Sequence, residues 1–186
     1  MKPMGALAGV LRLMRGRMDG LAEFGATPAA FLASLAPLVA FALVGAALLA
    51  SQPSVSGSFV GLFLELLVVH LAPPVVSHAI ARYWDREDWW LRYATAYNWL
   101  QCALPLAVLP LAIAMQVLVG LGMPAGSAVR VGVVVFVGYV LWLQWMLARH
   151  GLDLSRGRGA AVVAGVYFGT YLLAIGPERL ADWLGG

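Results

Sequence analysis

Long stretches without a single Asp, Glu, Lys or Arg set the pattern of this chain. Residues 24–64, 93–129, 131–148 and 159–177 carry no charge. A helix rises 1.5 Å per residue, so about 20 apolar residues cross a hydrocarbon core about 30 Å thick. The first run is long enough for one span, a turn and the start of a second. Spans are predicted at 29–50, 58–80, 95–118, 128–148 and 159–176. The expected fold is all-α: a five-helix transmembrane domain over 28–186, preceded by an N-terminal segment, 1–27.

Local signals punctuate these runs. Thr27 can cap a free amide and Pro28 fits a first helical turn, so the first span should begin there. Pro37, Pro73, Pro74, Pro105 and Pro110 fall inside predicted spans and deprive the carbonyls of Ala33, Val69, His70, Gln101 and Leu106 of their usual donors, which predicts kinks. Gly120, Gly122, Pro124 and Gly126 predict a turn, with Ser127 as a cap. Gly165 and Gly169 form a small-xxx-small face suited to close helix approach, within the chain or with a second copy. Before the first span, Leu7, Val10, Leu11, Met14, Met18 and Leu21 recur every three or four residues, with Arg12, Arg15, Asp19 and Glu23 on another face. This predicts an amphipathic interfacial helix over 6–24, weakened by Gly16 and Gly20.

Composition and charge add a location. The chain is 62% hydrophobic and 11% charged, against a charged share of about 25% in soluble domains. Lys2, Arg12, Arg15 and Arg17 precede the first span, Arg82, Arg86 and Arg92 follow the second, and Arg149, Arg156 and Arg158 follow the fourth. The alternate junctions are nearly bare. Basic residues near span ends stay cytoplasmic, so the amino terminus is expected inside and the carboxyl terminus outside. The patch at 4–11 is too short for a signal core and lacks a cleavage site, so the first span reads as a retained anchor. Arginine in place of lysine, with abundant Ala, Gly and Leu, suggests GC-rich coding and a bacterial cytoplasmic membrane. The lone Cys102 excludes a disulfide framework and a cysteine metal cluster.

Few residues offer chemistry. Glu65 is the one acid deep in a span, and Arg130 is expected on the same side of the membrane, so the two could form an ion pair; a water-facing Glu65 or a proton relay are the alternatives. His70 is expected to bond a carbonyl freed by the double proline, and His78 to face the inner headgroups. Asn98 and Gln101 are further intramembrane polar candidates. The junction 82–93 is rich in rings and charges, including Trp84, Asp88, Trp89, Trp90 and Arg92; it suits a short interfacial element and a partner-contact surface. There is no nucleophile–base set, metal-ligand spacing or phosphate loop, so no cofactor is expected, and the arginines serve orientation rather than nucleic acid.

Five closely spaced spans, a cytoplasmic amino terminus and proline-broken central helices, with Gly138-Tyr139 in the fourth span, resemble the Yip family over about residues 8–180. In eukaryotes these small membrane proteins associate with Rab GTPases and vesicle traffic. The Asp-Leu-Tyr-Gly-Pro signature of eukaryotic members is missing, so the resemblance carries over no GTPase-binding residue. It implies a non-enzymatic scaffold, organiser or accessory subunit whose partners are the bilayer and another membrane protein or a second copy. The alternatives are a small transporter or channel component, against which the lack of an internal repeat counts, and an intramembrane lipid-modifying enzyme.

Overall fold

The computed structural model describes the backbone of residues 3–55 and 57–185 and the side chains of 5–55 and 57–174. Its elements are α1 (Pro3–Met14), a 3-10 turn (Met18–Glu23), α2 (Pro28–Ala50), α3 (Phe59–Tyr83), α4 (Glu87–Gly120), α5 (Ala125–Gly151) and α6 (Arg156–Gly185). Every element among the described residues is helical, in line with the all-α expectation. Helices α2 to α5 are long and apolar enough to cross a membrane, and α6 covers the fifth predicted stretch.

Helix starts follow from capping chemistry. Thr27 Oγ1 accepts from the Ala30 amide at 3.2 Å, with Pro28 in the first turn. Ser58 does the same for Gly61 at 3.1 Å. Ser127, expected as a cap, lies inside α5 instead, and its hydroxyl accepts from Arg130 at 3.0 Å. Helix α4 begins eight residues before the expected 95, with Glu87 and Asp88 in its first turn, where carboxylates complement the positive helix end. The 82–93 junction is therefore not a separate interfacial element. Only Trp84 to Arg86 turn, with Asp85 at φ 56°, a left-handed position that Asp tolerates.

The five long helices form a ring in which neighbours run α2, α3, α6, α5, α4 and back to α2, with α3 also touching α4. The two glycines of α6 close the α3 interface inside the chain: a Cβ at Gly165 would stand 2.8 Å from Ile80 Cδ1, and one at Gly169 2.9 Å from Val76 Cγ1. Gly151 abuts Tyr93, Gly159 abuts Arg149, and the Arg158 guanidinium lies 5.6 Å from the Trp84 ring centre. The arginine-rich junctions after α3 and α5 thus meet at one end of the ring. Tyr93, Leu100, Leu143, Leu147, Leu152 and Val162 are buried together in one core cluster.

The N-terminal segment joins that end, not as one helix over 6–24 but as a hairpin. Gly16 at φ 73° reverses the chain against Trp142, and the 3-10 turn folds back on α1 with Gly20 buried beside the Gly9 carbonyl. Ala6, Val10, Leu13 and Phe24 are buried, Leu7 and Leu11 exposed. Tyr139 donates its hydroxyl to the Met14 carbonyl at 2.6 Å, and Arg12 pairs with Glu23 at 3.0 Å. The Arg17 guanidinium, bonded to Asp19 at 2.8 Å, holds that carboxyl below its usual range. Half of the amphipathic pattern is therefore a seam with the bundle, which periodicity alone cannot distinguish from a lipid-facing stripe.

Candidate functional site

The polar candidates separate into interior and exterior groups. Asn98 on α4 is fully buried, and its Nδ2 donates to Ser34 Oγ of α2 at 2.9 Å; Ser34 in turn donates to the Phe31 carbonyl at 2.6 Å. Gln101, one turn on, donates to the Tyr97 hydroxyl at 3.3 Å. Among the described residues, Asn98 Oδ1, Gln101 Oε1 and Thr170 Oγ1 are buried without a partner. Gln144 on α5 is also buried. Among the described residues, the bundle therefore holds amides and hydroxyls at its centre and no ionised group.

Glu65 lies on the exposed outer surface of α3. The expected pair with Arg130 is not formed: α3 and α5 are not neighbours in the ring, and the Arg130 side chain turns back to Ser127. His70 is also corrected. Its Nδ1 lies 2.7 Å from the Leu66 carbonyl, one turn back, rather than on a carbonyl freed by Pro73 or Pro74. Among the described residues no three His, Cys, Asp or Glu side chains converge as metal ligands.

The aromatic set at the α3–α4 turn also divides. Trp90 faces the bundle: its indole donates to Ser77 Oγ at 3.2 Å, and its ring lies 5.0 Å from Phe31 and 4.6 Å from His78. His78 approaches Glu87 at 3.9 Å, as does Arg82 at 3.7 Å. Trp84 is half-buried under Arg158. Trp89, Asp88 and Arg92 remain exposed, as does Tyr83 at 82% of its surface. Helical spacing puts Asp88 and Arg92 one turn apart on α4. Together these four side chains give the arginine end an outward surface able to contact a polar or aromatic partner.

Sequence reasoning passed over Ser34 and Ser77, each of which ties two helices together. Small hydroxyl residues inside apolar runs were the available signal, because a buried hydroxyl needs an acceptor. It also passed over the pair Trp145 and Arg149, one turn apart at the end of α5, with the guanidinium 5.8 Å from the ring centre. No protein-family profile, curated protein or solved structure matches the chain.

Proposed function

We propose that this chain is a non-enzymatic integral membrane protein of the bacterial cytoplasmic membrane, Yip-like in plan, with five spans and the arginine end in the cytoplasm. It acts as a scaffold, organiser or accessory subunit. The observation that carries this reading is the way the ring is filled: Asn98 bonds Ser34 across α2 and α4, the α6 glycines seat Ile80 and Val76, and Glu65 lies outside. A bundle built this way offers a contact surface rather than a charged path, and the surface of most mixed chemistry is Tyr83, Asp88, Trp89 and Arg92. Exposed aromatic and arginine side chains dominate binding energy in protein interfaces. Purification from native membranes in mild detergent should yield a stoichiometric companion protein, and Trp89→Ala with Arg92→Ala should release it while the bundle stays folded. Recovery of the chain alone, or a companion held equally well by the double variant, would contradict the proposal.

A small transporter is the second reading, favoured by the buried unpaired oxygens of Asn98, Gln101 and Thr170. It requires solute flux into sealed proteoliposomes that Asn98→Leu abolishes. Flux of that kind would replace the scaffold reading.

A further inference from the structure

We infer that the groove between α5 and α6 is a seat for an anionic phospholipid, its acyl chain lying between the two helices and its phosphate held by Arg149 and Arg156. This rests on the membrane reading above. The groove, about 460 Å³, is lined by Leu141, Trp145, Ala160, Val163, Ala164 and Tyr167. From Ala160 to Tyr167 it follows α6 for seven residues, about 10 Å at a helical rise of 1.5 Å, most of the depth of one leaflet. Small residues on α6 open it, and Tyr167, 47% exposed, borders it.

Charge sits at one end of this apolar slot. Trp145 lines the groove and touches the side chain of one arginine and the backbone of the other: the Arg149 guanidinium lies 5.8 Å from its ring centre, and its indole donates to the Arg156 backbone carbonyl at 3.0 Å. Neither arginine has a carboxylate partner among the described residues, whereas Arg12, Arg17 and Arg82 each have one. Between residues 149 and 158 there are three arginines and a single acid, Asp153. An apolar slot about two thirds of a leaflet deep, with an indole, the Arg149 guanidinium and Arg156 at its mouth, complements a molecule with an aliphatic tail and an anionic head. Arginine also matches phosphate oxygens in bidentate fashion. The larger groove between α4 and α5, under Leu11 and Met14, has no arginine tied to its lining by a contact of this kind, and the α3 groove along Leu64 to Val75 lies beside the acid Glu65.

Native mass spectrometry of the full chain, released from nanodiscs mixing phosphatidylglycerol and phosphatidylcholine, measures the preference. Each basic group near an anionic surface is worth about fivefold. The wild type should therefore retain phosphatidylglycerol over phosphatidylcholine, and Arg149→Ala with Arg156→Ala should cut that preference about 25-fold. The Lys pair at the same positions should keep most of it, and Arg130→Ala, at the other end of α5, should leave it unchanged. Ala164→Phe, which fills the slot without touching charge, should remove the dependence on acyl-chain length. An unchanged preference in the Ala pair, an equal loss in Arg130→Ala, or disulfide-linked dimers forming through Ala160→Cys in the membrane would overturn the site. Release of the wild-type chain from membranes by alkaline carbonate would instead remove the membrane reading on which it rests.

Discussion

Gly20 is the point at which the N-terminal hairpin can be opened without touching the bundle. A Cβ there would stand 2.6 Å from the Gly9 carbonyl oxygen and 3.3 Å from the Leu13 amide nitrogen. Both are backbone atoms, so no rotamer change relieves the contact. Overpacking a well-filled site costs about 1–3 kcal/mol, so Gly20→Ala should weaken the docking of the 3-10 turn on α1 by about 2 kcal/mol, or about thirtyfold in the opening equilibrium. Gly5→Ala is the matched control, because a Cβ at Gly5 meets only Glu23 Oε2 at 3.7 Å, an ordinary contact. Alanine in place of glycine in a helix is favourable by about 0.5–1 kcal/mol. Hydrogen exchange in nanodiscs separates the two: amides of residues 5–24 should lose protection in Gly20→Ala and keep it in Gly5→Ala, with α2 to α6 unchanged in both. Equal protection in the two variants would show that the hairpin does not close on Gly20. Loss spread evenly through α3 and α6, which the hairpin does not touch among the described residues, would refute the view that Gly20 acts locally.

Three further outcomes follow from the packing. A double-mutant cycle of Ser34→Ala and Asn98→Ala, read by thermal unfolding in detergent, should give a coupling of about 0.6 kcal/mol, the usual size for polar pairs between membrane helices; independent effects would mean the α2–α4 bond is not formed. Gly169→Leu should lower stability by about 1–3 kcal/mol with no change of oligomeric state on size-exclusion chromatography, and Val76→Ala should restore part of the loss; a shift in oligomeric state would place that glycine face between copies. Trp90→Ala, at a half-buried ring packed against the core, should cost about 2 kcal/mol, below the ~3–5 kcal/mol of a fully buried Trp, while Trp89→Ala should stay within about 0.5 kcal/mol; similar unfolding temperatures for the two would contradict the inward placement of Trp90.

What could be read before the structure was known, and what could not, follows from the range of each physical signal. Thr27 with Pro28 marks a helix start within one turn, and the observed helix begins at Pro28. The charge-free runs locate the long helices, because desolvating an ion is costly wherever the chain is buried. Ring order is a different matter. The pairing of Glu65 with Arg130 assumed that α3 and α5 are neighbours, and a hydropathy profile carries no lateral order. The start of α4 was missed because arginines and tryptophans at 82–93 satisfy an interfacial turn and a helix alike; only the burial of Trp90 against Phe31 and Ser77 separates them. The N-terminal hairpin was legible in part: Gly16 and Gly20 stood out as weak points of a helix over 6–24. Their role as a left-handed reversal and a backbone contact depends on Trp142 and Gly9, which no local pattern brings into view.

The central claim is that the three arginine-rich segments share the cytoplasmic face of a five-span bundle. Single cysteines in a Cys102→Ala background, probed with a membrane-impermeant maleimide, test it most directly. In intact cells Ser54→Cys, in the α2–α3 turn, and Ala125→Cys, at the start of α5, should label, while Asp88→Cys and Ser155→Cys at the arginine end should label only after permeabilisation. Labelling of Asp88→Cys or Ser155→Cys in intact cells, or of all four from one side, would contradict the account.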